Sequence, residues 1–157
     1  GMNAAPIAAL LGAECVDASS WRLNGMMRQI YDTKHGRFIK CGTKTRNIEK
    51  PIFQDFLKER LADEEYIFHG MNVEDLTRGF SADGTAGTEM RCYHNLWELN
   101  RDAEVVSEFE DDPCGLVNML KKRWSSSGWT DHQNLKILDI SKLIPFNLIA
   151  MRILLKN

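Results

Sequence analysis

Trp21-Arg22-Leu23-Asn24-Gly25-Met26-Met27-Arg28-Gln29-Ile30-Tyr31-Asp32-Thr33-Lys34-His35-Gly36-Arg37-Phe38-Ile39-Lys40-Cys41 is the stretch on which the fold turns. Asn24-Gly25 between apolar segments is the strongest short-range hairpin signal, because both residues accept the positive φ of a type I′ turn. The run from Asp32 to Gly36 also has turn chemistry. Residues 21–41 therefore predict a three-stranded antiparallel meander.

Downstream the period changes. Ile52 and Phe56 stand four apart, as do Phe53, Leu57 and Leu61, which predicts one apolar helical face over 50–62. Pro51 falls in the first turn, where a missing N–H costs nothing. Residues 66–69, closed by Gly70, predict a short buried strand, and Asn72 is placed to cap a brief helix through Leu76 that stops at Gly79. Residues 81–88 are a loop by composition. Met90, Cys92 and His94 then alternate with Arg91, Tyr93 and Asn95, which predicts a strand with one buried face.

Asn100 and Asp102 suit the start of a helix carrying Val105, Val106 and Phe109. Asp111-Asp112-Pro113 precedes Leu116, Leu120 and Trp124 at four-residue spacing, with Lys121, Lys122 and Arg123 in the last turn. Acid first and base last matches the helix dipole. Residues 125–128 end that helix, 135–140 predict a strand, and 145–155 form a nearly continuous apolar run whose period does not separate helix from strand. The fold class expected from this pattern is α+β: an antiparallel β-sheet with an N-terminal meander, packed against two or three amphipathic helices, after an N-terminal helix.

Composition sets the frame around this pattern. The 157 residues are 43% apolar and 27% charged, enough for a packed core in a single globular domain over 2–157, with Gly1 expected to be a remnant of tag cleavage. Twenty Lys and Arg against 22 Asp and Glu give a net charge of −2, which argues against nucleic acid as a partner. No run approaches the roughly 18 consecutive apolar residues of a membrane span. Cys15, Cys41, Cys92 and Cys114 are widely spaced with no C-x-x-C pair, so a reducing, cytoplasmic setting is expected rather than a disulfide or zinc framework. The phosphate, dinucleotide, metalloprotease, esterase and EF-hand signatures are absent from the sequence.

Three chemical features stand out. Cys114 opens a helix just after Pro113, where unpaired backbone N–H groups favour a thiolate. Pro113-Cys114-Gly115-Leu116-Val117 loosely resembles the nucleophile helix of papain-like amidases and peptidases. That resemblance implies a thiol-dependent hydrolase using Cys114 with His69 or His94 as base. Phe68-His69-Gly70, a glycine-rich loop and Tyr93-His94 form the second feature. Their order resembles the nicotinamide-binding half of ADP-ribosyltransferases and RNA 2′-phosphotransferases, which implies that His69 and Gly70 hold a ribose and carboxamide of NAD and that Tyr93 stacks. The third is a thin set of metal-ligating types, Cys92, His94, Cys114 and His132, whose spacing is not diagnostic, so no metal site is expected.

With no strong motif, binding of an unnamed small molecule or protein by a cleft or interface is the leading expectation, ahead of the hydrolase and NAD alternatives. The cofactor, if any, is left unspecified. A homo-oligomer is also expected, because the apolar C-terminal run and seven Met exceed what one exposed helix needs.

Overall fold

The computed structural model describes residues 19–42 and 47–126. These fall into two compact units, one of 19–33 with 37–42 and 47–101, the other of 34–36 with 102–126. The expected features at 4–13, 135–140 and 145–155 lie outside the described residues. Helices combine with one two-stranded antiparallel sheet, so the broad α+β class holds while the meander does not.

In the first unit, helix α1 (Ser20–Met26) leads to strands β1 (Gln29–Asp32) and β2 (Arg37–Lys40), paired from Gln29↔Lys40 to Asp32↔Arg37. The expected first strand is thus a helix, and Asn24-Gly25 lies inside it. Gly25 is required by close approach rather than by a turn: a Cβ there would stand 2.5 Å from Cys92 Sγ and 3.0 Å from Cys92 N. Asn24 Nδ2 donates to Ser20 O and to Tyr31 Oη, both at 2.9 Å, which fastens the helix over β1. The chain reverses instead at Arg28, the only non-glycine residue with positive φ (58°) among the described residues.

A short 3₁₀ turn (Asn47–Glu49) precedes helix α2 (Pro51–Ala62), which forms where expected with Pro51 in its first turn. Phe56 and Leu57 are buried, but Ile52 is exposed, so the apolar face is narrower than its spacing implied. The strand expected at 66–69 is a run of tight turns. Tyr66 N donates to Asp63 O at 3.1 Å, His69 N to Tyr66 O at 2.8 Å and Met71 N to Phe68 O at 3.1 Å. These local bonds satisfy the backbone, so Tyr66 and Phe68 join the core without a strand partner.

Helix α3 (Val73–Ser81) is capped as expected, with Asn72 Oδ1 accepting from Asp75 N at 2.8 Å, and it runs through Gly79 to Ser81. The loop expected at 81–88 is shorter, because helix α4 (Gly84–Ser107) already begins at Gly84. Gly87 lets the first turn of α4 press on the end of α3, where a Cβ would lie 2.2 Å from Ala82 O. The strand expected at 90–95, and the separate helix expected from Asn100, are both parts of α4.

The reason is visible at β1. Cys41 N donates to Arg28 O at 2.9 Å, so residues 28, 30 and 32 face β2 while 29, 31 and 33 face the other edge. An unpaired edge carries unmet donors and acceptors, and here side chains of α4 meet them. Asn95 donates to Gln29 O at 3.0 Å and accepts from Tyr31 N at 2.8 Å. His94 Nε2 bonds Tyr31 O at 2.7 Å, and Glu98 Oε2 accepts from Thr33 N at 3.0 Å and from its hydroxyl at 2.7 Å. Arg91, His94, Asn95 and Glu98 therefore form the buried stripe of α4, at helical spacing but polar in chemistry.

In the second unit, helix α5 (Pro113–Ser126) starts where expected. Asp112 Oδ1 accepts from Gly115 N at 2.8 Å, so this acid caps the helix. Leu116 and Leu120 are buried against Val106 and Phe109, and buried Asp102 pairs with Arg123 at 2.6 Å. Glu104, Glu108, Glu110 and Asp111 are exposed, as a solvated acidic face requires. No helix among the described residues is long and apolar enough to cross a membrane.

Candidate functional site

The singled-out residues occupy different surroundings. Cys114 is exposed in the first turn of α5, in the second unit. His69 is exposed on the turn after α2, where Nδ1 donates to Leu61 O at 3.0 Å, and Gly70 follows it with φ of 90°. No strand carries His69, Tyr93 or His94, which corrects the strand setting expected for both histidines. Among the described residues no three His, Cys, Asp or Glu side chains gather into a metal-binding group.

His94 and Tyr93, adjacent in sequence, point to opposite environments on α4. His94 is fully buried, edge-on to Phe56, Tyr66 and Phe80. Its Nε2 donates to Tyr31 O, and its Nδ1 accepts from the Tyr66 hydroxyl at 2.7 Å, so both nitrogens are committed to the neutral ring. Burial pushes the imidazole below the usual histidine range, only partly offset by the charge of Glu98 and the bond to Tyr31. Burial also holds the Tyr66 phenol well above its usual range.

Because His94 protonates more readily in the unfolded chain, the neutral ring contributes stability that is present above about pH 6.5 and is lost as pH falls below it. Urea titrations between pH 7.5 and pH 5 are expected to show the wild type losing stability with a slope of up to about 1.4 kcal/mol per pH unit more than His94→Gln. Parallel curves for the two proteins would contradict this.

Tyr93, half exposed, faces a cleft instead. Trp21 and Arg22 of α1, Arg28 just after it, and Thr85, Thr88 and Tyr93 of α4 line a space of about 720 Å³, within the range of small-molecule sites. Arg91 also lines it, with its guanidinium already spent on protein groups. It donates to Gly25 O at 2.8 Å, to Phe80 O at 2.7 Å, to Ala82 O at 3.0 Å and to Thr88 Oγ1 at 3.1 Å. Cys92 also faces the cleft, and burial raises its thiol, which keeps it in the unreactive form.

Of the residues singled out from sequence, Tyr93 and Cys92 reach this cleft, while His69, Gly70, His94 and Cys114 do not. The sequence pattern places Trp21, Arg22 and Arg28 on strands, and Thr85 and Thr88 in a loop. No spacing links residues 21–28 to 84–93, so the grouping had no local signal. The left-handed backbone at Arg28 is a further mark of the site. A non-glycine residue there costs about 1 kcal/mol, and such strain concentrates at binding and active sites.

No family model matches the chain, and neither a curated protein nor a solved structure matches it.

Proposed function

We propose that this protein binds a small organic anion with a planar aromatic part, of the nucleoside monophosphate class, in the cleft between α1 and the start of α4. The observation that carries this reading is the cleft's composition. Two guanidinium groups not spent on backbone carbonyls, Arg22 and Arg28, outnumber the one carboxylate of the lining, Glu89, and share one 720 Å³ space with two aromatic rings, Trp21 and Tyr93, and two hydroxyls, Thr85 and Thr88. Guanidinium groups form paired, charge-assisted bonds to phosphate or carboxylate. Rings of Trp and Tyr offer apolar faces for a planar group, and threonine hydroxyls donate or accept at its rim.

Isothermal titration calorimetry with four probes tests the reading: AMP, phenyl phosphate, adenosine and inorganic phosphate. AMP and phenyl phosphate are expected to bind at least about tenfold more tightly than adenosine or phosphate alone. Arg28→Gly is expected to lose at least about tenfold in AMP affinity while gaining about 1 kcal/mol in stability, because glycine accepts the left-handed backbone without strain. NAD contains the same AMP group, and NAD binding that survives His69→Ala would assign it to this cleft. The absence of heat with both AMP and phenyl phosphate at millimolar concentration would overturn the proposal.

A further inference from the structure

Arg28 already holds an anion. Its Nη2 donates to Oδ1 of Asp83, a residue 55 positions away at the junction of α3 and α4. The two ends of this pair differ in freedom. The Arg28 backbone is pinned, its N–H donating to Gly25 O at 3.2 Å and its carbonyl accepting from Cys41 N at 2.9 Å. The Asp83 side chain is 83% exposed against 30% for Arg28, and it stands outside both helices. Asp83 also borders a second cleft of about 620 Å³, lined by Gln54, Thr77 and Arg78 but not by Arg28, so there is open space beside it.

Resting on the anion-binding reading of the cleft, we infer that Asp83 is an intramolecular competitor: its carboxylate occupies the anion position on Arg28 in the empty protein, and a ligand's anionic group binds there by displacing it. An exposed ion pair contributes little net stability, because water and side-chain entropy offset the attraction. The latch is thus weak enough for a ligand phosphate to open, yet it withholds Arg28 from weakly charged molecules. It also keeps a strained, cationic residue neutralised when the cleft is empty.

Titration of AMP into Asp83→Asn tests this, with Asp55→Asn on the exposed face of α2 as the control that removes the same net charge. Asp83→Asn is expected to bind AMP about three- to tenfold more tightly than wild type, and Asp55→Asn to change affinity by less than about twofold. Unchanged or weaker binding by Asp83→Asn, with wild-type AMP binding intact, overturns the competitor and leaves the cleft reading standing. An equal gain in both variants overturns it in favour of a general charge effect. Failure of wild type and Asp83→Asn alike to bind AMP overturns the cleft reading itself.

Discussion

Glu98→Ala is expected to lower the unfolding free energy by about 3–5 kcal/mol, the range for removing one partner of a buried ion pair. Glu98 has no exposed surface and meets two demands at once. One oxygen accepts from Thr33 N and from the Thr33 hydroxyl, meeting the donor just past the end of β1. The carboxylate also receives the guanidinium of Arg60 from α2. Burial opposes the Arg60 charge, but Glu98, joined by Asp32 and Glu59, outweighs it and keeps the guanidinium protonated, with its Cζ 4.8 Å above the Phe56 ring. Alanine would leave a buried backbone donor unmet, a cation without its main partner and a void. Glu98→Gln keeps acceptor and shape while losing the charge, so it is expected to cost less, about 1–3 kcal/mol. Chemical denaturation followed by circular dichroism measures both. A loss below about 1 kcal/mol for Glu98→Ala would show that the edge of β1 does not need this carboxylate.

Arg91→Met is expected to cost a comparable amount, about 3–5 kcal/mol, by a different route. Methionine preserves the aliphatic stem, so the loss isolates the guanidinium. Phe80 O and Ala82 O lie at the C-terminal end of α3, where helix carbonyls lack partners within the helix. Arg91 serves both of them, and with Gly25 O it ties α1 and the end of α3 to α4. Burial lowers its pKa, yet the fork of donors remains the only group here shaped to reach three carbonyls and Thr88 together. Arg91→Lys is therefore expected to recover less than half of the loss. Full recovery with lysine, read in the same denaturation series, would mean that charge rather than fork geometry matters.

Both effects arise from one feature that sequence patterning is blind to. Hydrophobic periodicity finds a helix by its apolar stripe, and α2 and α5 carry such stripes in Phe56 with Leu57 and in Leu116 with Leu120. The buried stripe of α4 consists of Arg91, His94, Asn95 and Glu98. Read for apolar residues alone, the same segment shows Met90, Cys92 and His94 alternating, which is the signature of a strand. Glycine misled in the same way. Gly25 and Gly87 carry turn signals in the sequence, but each marks a place where two helices meet with no room for a side chain. The candidate cleft is legible only through Tyr93 and Cys92, because Arg22, Arg28 and its second ring come from a segment whose pattern reads as the meander.

The sequence by itself determined what local chemistry can determine: the mixed α+β class, helix α2 with Pro51 in its first turn, the Asn72 cap of α3 and the start of α5 at Pro113. Each depends on residues within one or two turns of one another, so propensity, capping and spacing suffice. Only the tertiary structure decided that residues 20–26 form a helix, that α4 is a single helix and that Arg22, Arg28 and Tyr93 share a cleft. Those outcomes depend on hydrogen bonds between groups more than 60 residues apart, such as Asn95 to Tyr31 and Arg91 to Gly25. A buried polar group is stable only where its partner stands, and no local pattern records where that will be.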